Sequence, residues 1–159
     1  MRRDEQEMLS TPKNFTLCAG AAEGSSKLNA FDNALLEAQI GNVNLLKVSS
    51  ILPPGAKYVE RLEVPPGSLI PTAYGSIVSD QAGELISAAV GVGSSKDAFG
   101  VIMEYSGKCS REQAEDIVEE MVREAFRTRK MQLIKVMVKG VEHQVIYAGC
   151  AFAGVALWY

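Results

Sequence analysis

Short apolar or mixed runs bounded by glycine, proline and serine recur along most of this chain, and in two stretches apolar residues instead recur at spacings of three and four. Asn14 to Ala19 reads as a strand, followed by a glycine- and serine-containing loop from Gly20 to Lys27. Asn29 is placed to cap a first helix, with Phe31, Ala34, Leu35 and Ala38 on one face and Gly41 as its stop. A strand follows, with Val43, Leu45 and Lys47 on one face and Asn44, Leu46 and Val48 on the other. It closes on Ser49-Ser50, and Pro53-Pro54-Gly55 turns the chain. Lys57 to Val64, bracketed by a second Pro-Pro-Gly, reads as an irregular excursion or edge segment.

Ser68 to Ser79 and Glu84 to Gly93 are strand-like, joined through Ala82-Gly83 as a hairpin turn. Phe99 to Tyr105 is a strong strand with Glu104 near its end. Ser110 and Gln113 then form a capping-box pattern that opens the longest helix. Its apolar stripe runs through Ala114, Ile117, Val118, Met121, Val122, Ala125 and Phe126. Met131 to Val138, Val141 to Tyr147 and Cys150 to Trp158 read as three further strands. Residues 1 to 13 are polar and read as a loose tail. The order predicts an α+β (layered α/β) domain over residues 14 to 159, with one sheet-rich core and two main helices.

Composition narrows the function classes. A chain of 159 residues, 47% hydrophobic and 22% charged, suits a single domain. A net charge of -3 argues against nucleic acid as the main partner. Cys18, Cys109 and Cys150 lack metal-type spacing and read as reduced thiols of a cytoplasmic protein. The opening residues carry no apolar core, so no secretory signal is expected. The longest uncharged apolar run, Val145 to Tyr159, is glycine-interrupted and too short to span a bilayer as a helix.

The single histidine, His143, rules out a multi-histidine metal site. Gly91-Val92-Gly93-Ser94-Ser95 lacks the third glycine of a dinucleotide site, and no nucleophile elbow or phosphate loop is present. Asp32 reads either as a charge at the start of the first helix or as a carboxylate on the rim of a pocket. Glu104 reads either as a strand-end surface carboxylate or as an acid desolvated at the end of an apolar strand.

Ser49-Ser50 closes an apolar strand, with two more apolar residues before the prolines. This stretch resembles the self-cleavage region of the pyruvoyl-dependent arginine decarboxylases. Leu28 to Leu36 resembles the family's first helix. Pro71 to Gly75, Ile102 to Tyr105 with Gly107 to Ser110, and Gly149 to Ala153 through Leu157 to Tyr159 resemble its later landmarks, in the same order. Two stretches depart from the pattern: Val90 to Ala98 is short, and Lys57 to Leu62 is individual.

The resemblance implies a four-layer αββα sandwich with mainly antiparallel sheets and assembly as a homotrimer, with pairing of trimers as a further step. It implies cleavage between Ser49 and Ser50, a covalent pyruvoyl group derived from Ser50, and neither metal nor pyridoxal phosphate. The substrate's α-amine would condense with that group as a Schiff base, and arginine would leave as agmatine and carbon dioxide. Glu104 is then the proton donor, Asn44 orients the cleavage site or the pyruvoyl group, and Asp32 pairs with the substrate guanidinium. Asn44 and Ser50 share strand parity, which would place them on one face. The alternatives are the same mechanism on another amino acid, or a non-processing trimeric binding or regulatory homologue.

Overall fold

The structure is a computed structural model, and it describes residues 9–159. The part of the expected tail that precedes Leu9 lies outside the described residues. The strands and helices run β1 (Asn14–Glu23), α1 (Lys27–Glu37), β2 (Asn44–Lys47), β3 (Ile51–Leu52), β4 (Lys57–Tyr58), β5 (Leu69–Ser79), β6 (Leu85–Ser94), β7 (Gly100–Gly107), α2 (Arg111–Arg129), β8 (Lys135–Gln144) and β9 (Gly149–Trp158). One sheet has the order β2-β5-β9-β1-β4 and the other β3-β7-β6-β8. Pairing is antiparallel except for β1 with β4 and β2 with β5.

The two sheets face each other across a core that includes Phe15, Leu17, Ala73, Val90, Ile102 and Val155. α1 covers the outer face of the five-stranded sheet, where Ala30, Ala34 and Leu35 meet Phe152 and Ile70. α2 covers the outer face of the other, where Val118 and Val122 meet Ala89 and Val101. The result is the four-layer αββα sandwich, each layer burying the apolar face of the next. α2 rides close to β6 because Gly91 and Gly93 face it. A Cβ at Gly91 would come to 2.5 Å from Val118 Cγ1.

The expected elements are present, with four differences. β1 continues to Glu23, because all ten of its residues pair with β9 from Asn14↔Trp158 to Glu23↔Gly149. α1 is capped by Ser26 rather than Asn29: the Ser26 hydroxyl accepts from the Asn29 N–H at 3.1 Å. It ends through Gln39, whose φ is 63°, and not at Gly41. Gly41 is instead a close approach, where a Cβ would meet Leu36 Cδ2 at 2.6 Å. Finally, the two strands expected around residue 140 are one, β8, since Gly140 keeps its place in the ladder opposite Ala89.

Candidate active site

β2 belongs to the five-stranded sheet and β3 to the four-stranded one, so the chain crosses between sheets at Val48-Ser49-Ser50. Hydrogen bonds bracket the crossing. On one side the Val48 N–H donates to the Thr72 carbonyl of β5 at 3.1 Å; on the other the Ile102 N–H of β7 donates to the Ser50 carbonyl at 2.7 Å. The Ser49–Ser50 peptide bond is therefore strung between two fixed points. Ser49 is exposed and Ser50 half-buried. Neither residue has a positive φ, so their position comes from this anchoring, not from a left-handed backbone.

The β3–β7 register sets Ile51 against Val101 and Leu52 against Gly100. One step back it sets Ser50 against Ile102, as the hydrogen bond requires. Glu104 lies two residues further along β7, on the same face as Ile102. Ser50 and Glu104 are thus diagonal cross-strand neighbours, a relationship that brings Cα atoms to about 7–8 Å. The face they share is the one between the sheets, since Ile102 and Val90, the cross-strand partners of Val92 and Glu104, belong to the inter-sheet core.

Glu104 packs against Gly75 of the facing sheet, where a Cβ would stand 3.5 Å from its Cγ. Its Oε2 is buried and has no hydrogen-bond partner. Burial pushes the carboxyl above its ordinary value, and the ammonium of Lys47 pulls against that rise. Lys47, the last residue of β2, stands with its Nζ 4.7 Å from the centre of the Tyr74 ring. The sequence gives Lys47 only a place in the strand alternation; its neighbourhood appears once β2 and β5 are paired.

A cavity of about 270 Å³ opens against Ser49, lined by Val48, Ile51, Pro53, Pro71, Leu157 and Tyr159. Leu46, Val48 and Ile51 leave an exposed apolar edge beside it. Another cavity, of about 200 Å³, lies towards the opposite edge, between β1, the end of α1 and the 60–62 segment. It contains none of the site residues read from the sequence.

Asn44 and Asp32 are not brought to this crossing within one chain. Asn44 opens β2, and its side-chain amide donates to the Gly67 carbonyl at 3.1 Å. Its parity with Ser50 does not carry over, because β2 ends at Lys47 and the chain then changes sheets. Asp32 is exposed on α1, with exposed Leu28 and Leu36 one turn to either side. His143 is engaged elsewhere: its Nε2 lies 2.5 Å from Glu23 Oε2, which ties β8 to β1.

Among the described residues, no group of three or more His, Cys, Asp or Glu gathers to hold a metal ion, and no helix is long and apolar enough to cross a membrane.

The arrangement offers a hydroxyl residue on an anchored, partly exposed peptide bond, with an unpartnered carboxyl on the same face. The residues fit a pyruvoyl group at position 50: the Ile102 N–H meets the carbonyl that would adjoin its ketone, and the Glu104 oxygen without a partner lies on the same face.

Comparison with known proteins gives the family. The family model for pyruvoyl-dependent arginine decarboxylase (PvlArgDC) matches residues 14–157. The pyruvoyl-dependent arginine decarboxylase of Methanocaldococcus jannaschii is 52% identical over 150 residues, covering 93% of this chain and 91% of that protein. Those of Thermococcus kodakarensis and Pyrococcus horikoshii are 51% and 50% identical, each over 83% of this chain and 85% of the relative. With the match running from the first residue of β1 almost to the end of β9, this chain belongs to the pyruvoyl-dependent arginine decarboxylase family.

Proposed function

We propose that this chain decarboxylates L-arginine to agmatine and carbon dioxide, using a pyruvoyl group that it makes from its own Ser50. The observation that carries the reading is the diagonal placement of Ser50 and Glu104 between the sheets, with the Ser50 carbonyl held by Ile102.

Maturation comes first. The Ser50 hydroxyl attacks the carbonyl carbon of Ser49, and the amide between them becomes an ester while Ser50 gains a free amine. Loss of the Ser50 α-proton with departure of the Ser49 carboxylate leaves a dehydroalanine at position 50. Its tautomer takes up water and releases ammonia. One chain then ends at Ser49, and the other begins with the new group. Anchoring on both sides of the bond keeps the new ends in place, through Thr72 on β5 and Ile102 on β7.

The pyruvoyl group supplies a ketone that condenses with the substrate's α-amine and accepts the electron pair left by carbon dioxide. The chain's own residues do the rest. The Ile102 N–H faces the carbonyl of residue 50, where negative charge develops, and a preset donor at that point lowers the barrier. Glu104, whose carboxyl burial pushes above its ordinary value, returns a proton to the substrate carbon.

Asp32 is given the guanidinium, because a planar fork pairs well with a carboxylate. It stands on the outer face of α1, so it serves the Ser50 crossing of a neighbouring copy, and Leu28 and Leu36 beside it are exposed for such a contact. Asn44, bound to Gly67 at the far end of β2, is given the orientation of the cleavage site or pyruvoyl group of a neighbouring copy, across the interface of a homotrimer. A screen of arginine, ornithine, lysine and histidine tests the substrate. Release of agmatine from arginine alone supports the reading, and no carbon dioxide from any of the four contradicts it.

A further inference from the structure

β7 is tied to a different neighbour on either side of Glu104. Two residues before it, the Ile102 N–H donates to the Ser50 carbonyl at 2.7 Å. Two residues after it, the Ser106 hydroxyl donates to the Ser76 carbonyl of β5 at 3.1 Å. This second bond runs between the sheets: the cross-strand partner of Ser106 is Ala88, a member of the inter-sheet core. It also uses a carbonyl that the ladder leaves over. Backbone groups of a strand face its two edges in alternation, and the Thr72 carbonyl faces β2, where it accepts from the Val48 N–H. The unbroken register of β5 with β9 turns the Ser76 carbonyl to that same edge. β2 pairs with β5 only as far as Thr72, and the chain then crosses to the other sheet. Ser106 takes up a carbonyl that this departure exposes.

The two strands approach closely here. A Cβ on Gly75 would lie 3.5 Å from Glu104 Cγ and 3.6 Å from the Tyr105 carbonyl carbon, whereas facing sheets ordinarily stand about 10 Å apart. Gly75 and Ala88 put little apolar bulk into the gap, so the hydroxyl bond is what sets it.

We infer that Ser106 is a positioning residue for Glu104: its hydroxyl holds β7 against the edge of β5 that β2 has left, and this fixes the carboxyl relative to residue 50. The inference rests on Glu104 acting as the proton donor. The Oε2 of Glu104 has no hydrogen bond to orient it, so its place depends on the backbone that carries it and on the wall at Gly75. A donor must lie within hydrogen-bond reach of the atom it serves, and a misplacement of about 1 Å can cost about 10²-fold in rate.

The test uses steady-state kinetics on self-cleaved protein. Ser106→Ala, which removes one oxygen, should mature fully, keep the parental KM for arginine and lose roughly tenfold to a hundredfold in kcat. Ser106→Thr, which keeps the hydroxyl, should recover most of that loss. Residues that act through one another are not additive, so Ser106→Ala combined with Glu104→Gln should turn over no more slowly than Glu104→Gln alone. A parental kcat in Ser106→Ala beside an impaired Glu104→Gln overturns this inference alone. So does a double variant that loses the full Ser106→Ala factor again, or a Ser106→Ala protein that fails to self-cleave. A parental rate in Glu104→Gln removes the donor itself, so the two failures can be told apart.

Discussion

The Ser50 carbonyl accepts a hydrogen bond from the Ile102 N–H at 2.7 Å, and Glu104 stands two residues beyond Ile102 on the same face of β7. One short stretch of β7 therefore holds the residue proposed to be cut and presents the acid proposed to serve it. The two functions are separable by mutation, because the N–H is backbone and the acid is a side chain.

Ser50→Ala removes only the attacking oxygen. The variant is expected to fold, to remain one chain and to release no carbon dioxide from arginine. Gel electrophoresis with a radiolabelled decarboxylation assay checks this, and full activity would contradict the mechanism.

Glu104→Gln keeps the shape of the site and removes its acid. Self-cleavage should continue, while kcat falls by about 10² to 10⁴, the usual contribution of a positioned proton donor. A mature variant turning over at the parental rate would exclude the residue.

Asp32→Asn should leave cleavage intact and raise KM for arginine by roughly tenfold to a hundredfold, the usual value of a charge-assisted hydrogen bond. Steady-state kinetics check it. An unchanged KM would place the guanidinium elsewhere.

Glu23 predicts an acid-sensitive clamp between the sheets. Burial pushes its carboxyl up, but the Tyr147 N–H, His143 and the Ile146 N–H outweigh that and hold it below its ordinary value. A carboxyl depressed in the folded state gives stability that is present above its unfolded value and lost as pH falls through the folded one. Melting temperature should thus drop as pH falls below the ordinary glutamate range, and Glu23→Gln should flatten that drop. Thermal melts across pH check the sign.

Gly91→Val tests the packing of α2. A branched side chain would collide with Val118 and Val122, and overpacking of this kind costs about 1–3 kcal/mol. Urea unfolding measures it.

Much of this was legible before the fold was known, for identifiable reasons. α2 declares itself through Ser110 and Gln113, a reciprocal cap formed by local contacts alone. The hairpin at Gly83 is signalled by a residue that tolerates its φ of 86°. The extent of β1 was not legible, because Gly20 and Gly24 look like loop residues. They are small because α1 lies against them, a long-range fact. Likewise Gly140 looks like a break and is instead a close approach to Glu115.

The site divides in the same way. Ser49-Ser50 and Glu104 are legible through the resemblance to the family, and neither is singled out by its own spacing. The change of sheet at Ser49 is not signalled, since the serine pair is flanked by apolar residues on both sides, Val48 before it and Ile51 and Leu52 after it. For the same reason parity misplaced Asn44 relative to Ser50, and Lys47 passed as a strand residue.

The most direct measurement is the mass of the purified protein, taken with hydroxylamine labelling. The account predicts two fragments that part between Ser49 and Ser50, the larger blocked at its amino end by a carbonyl that takes the label. A single uncut chain of 17.1 kDa that decarboxylates arginine and carries no such carbonyl would contradict it.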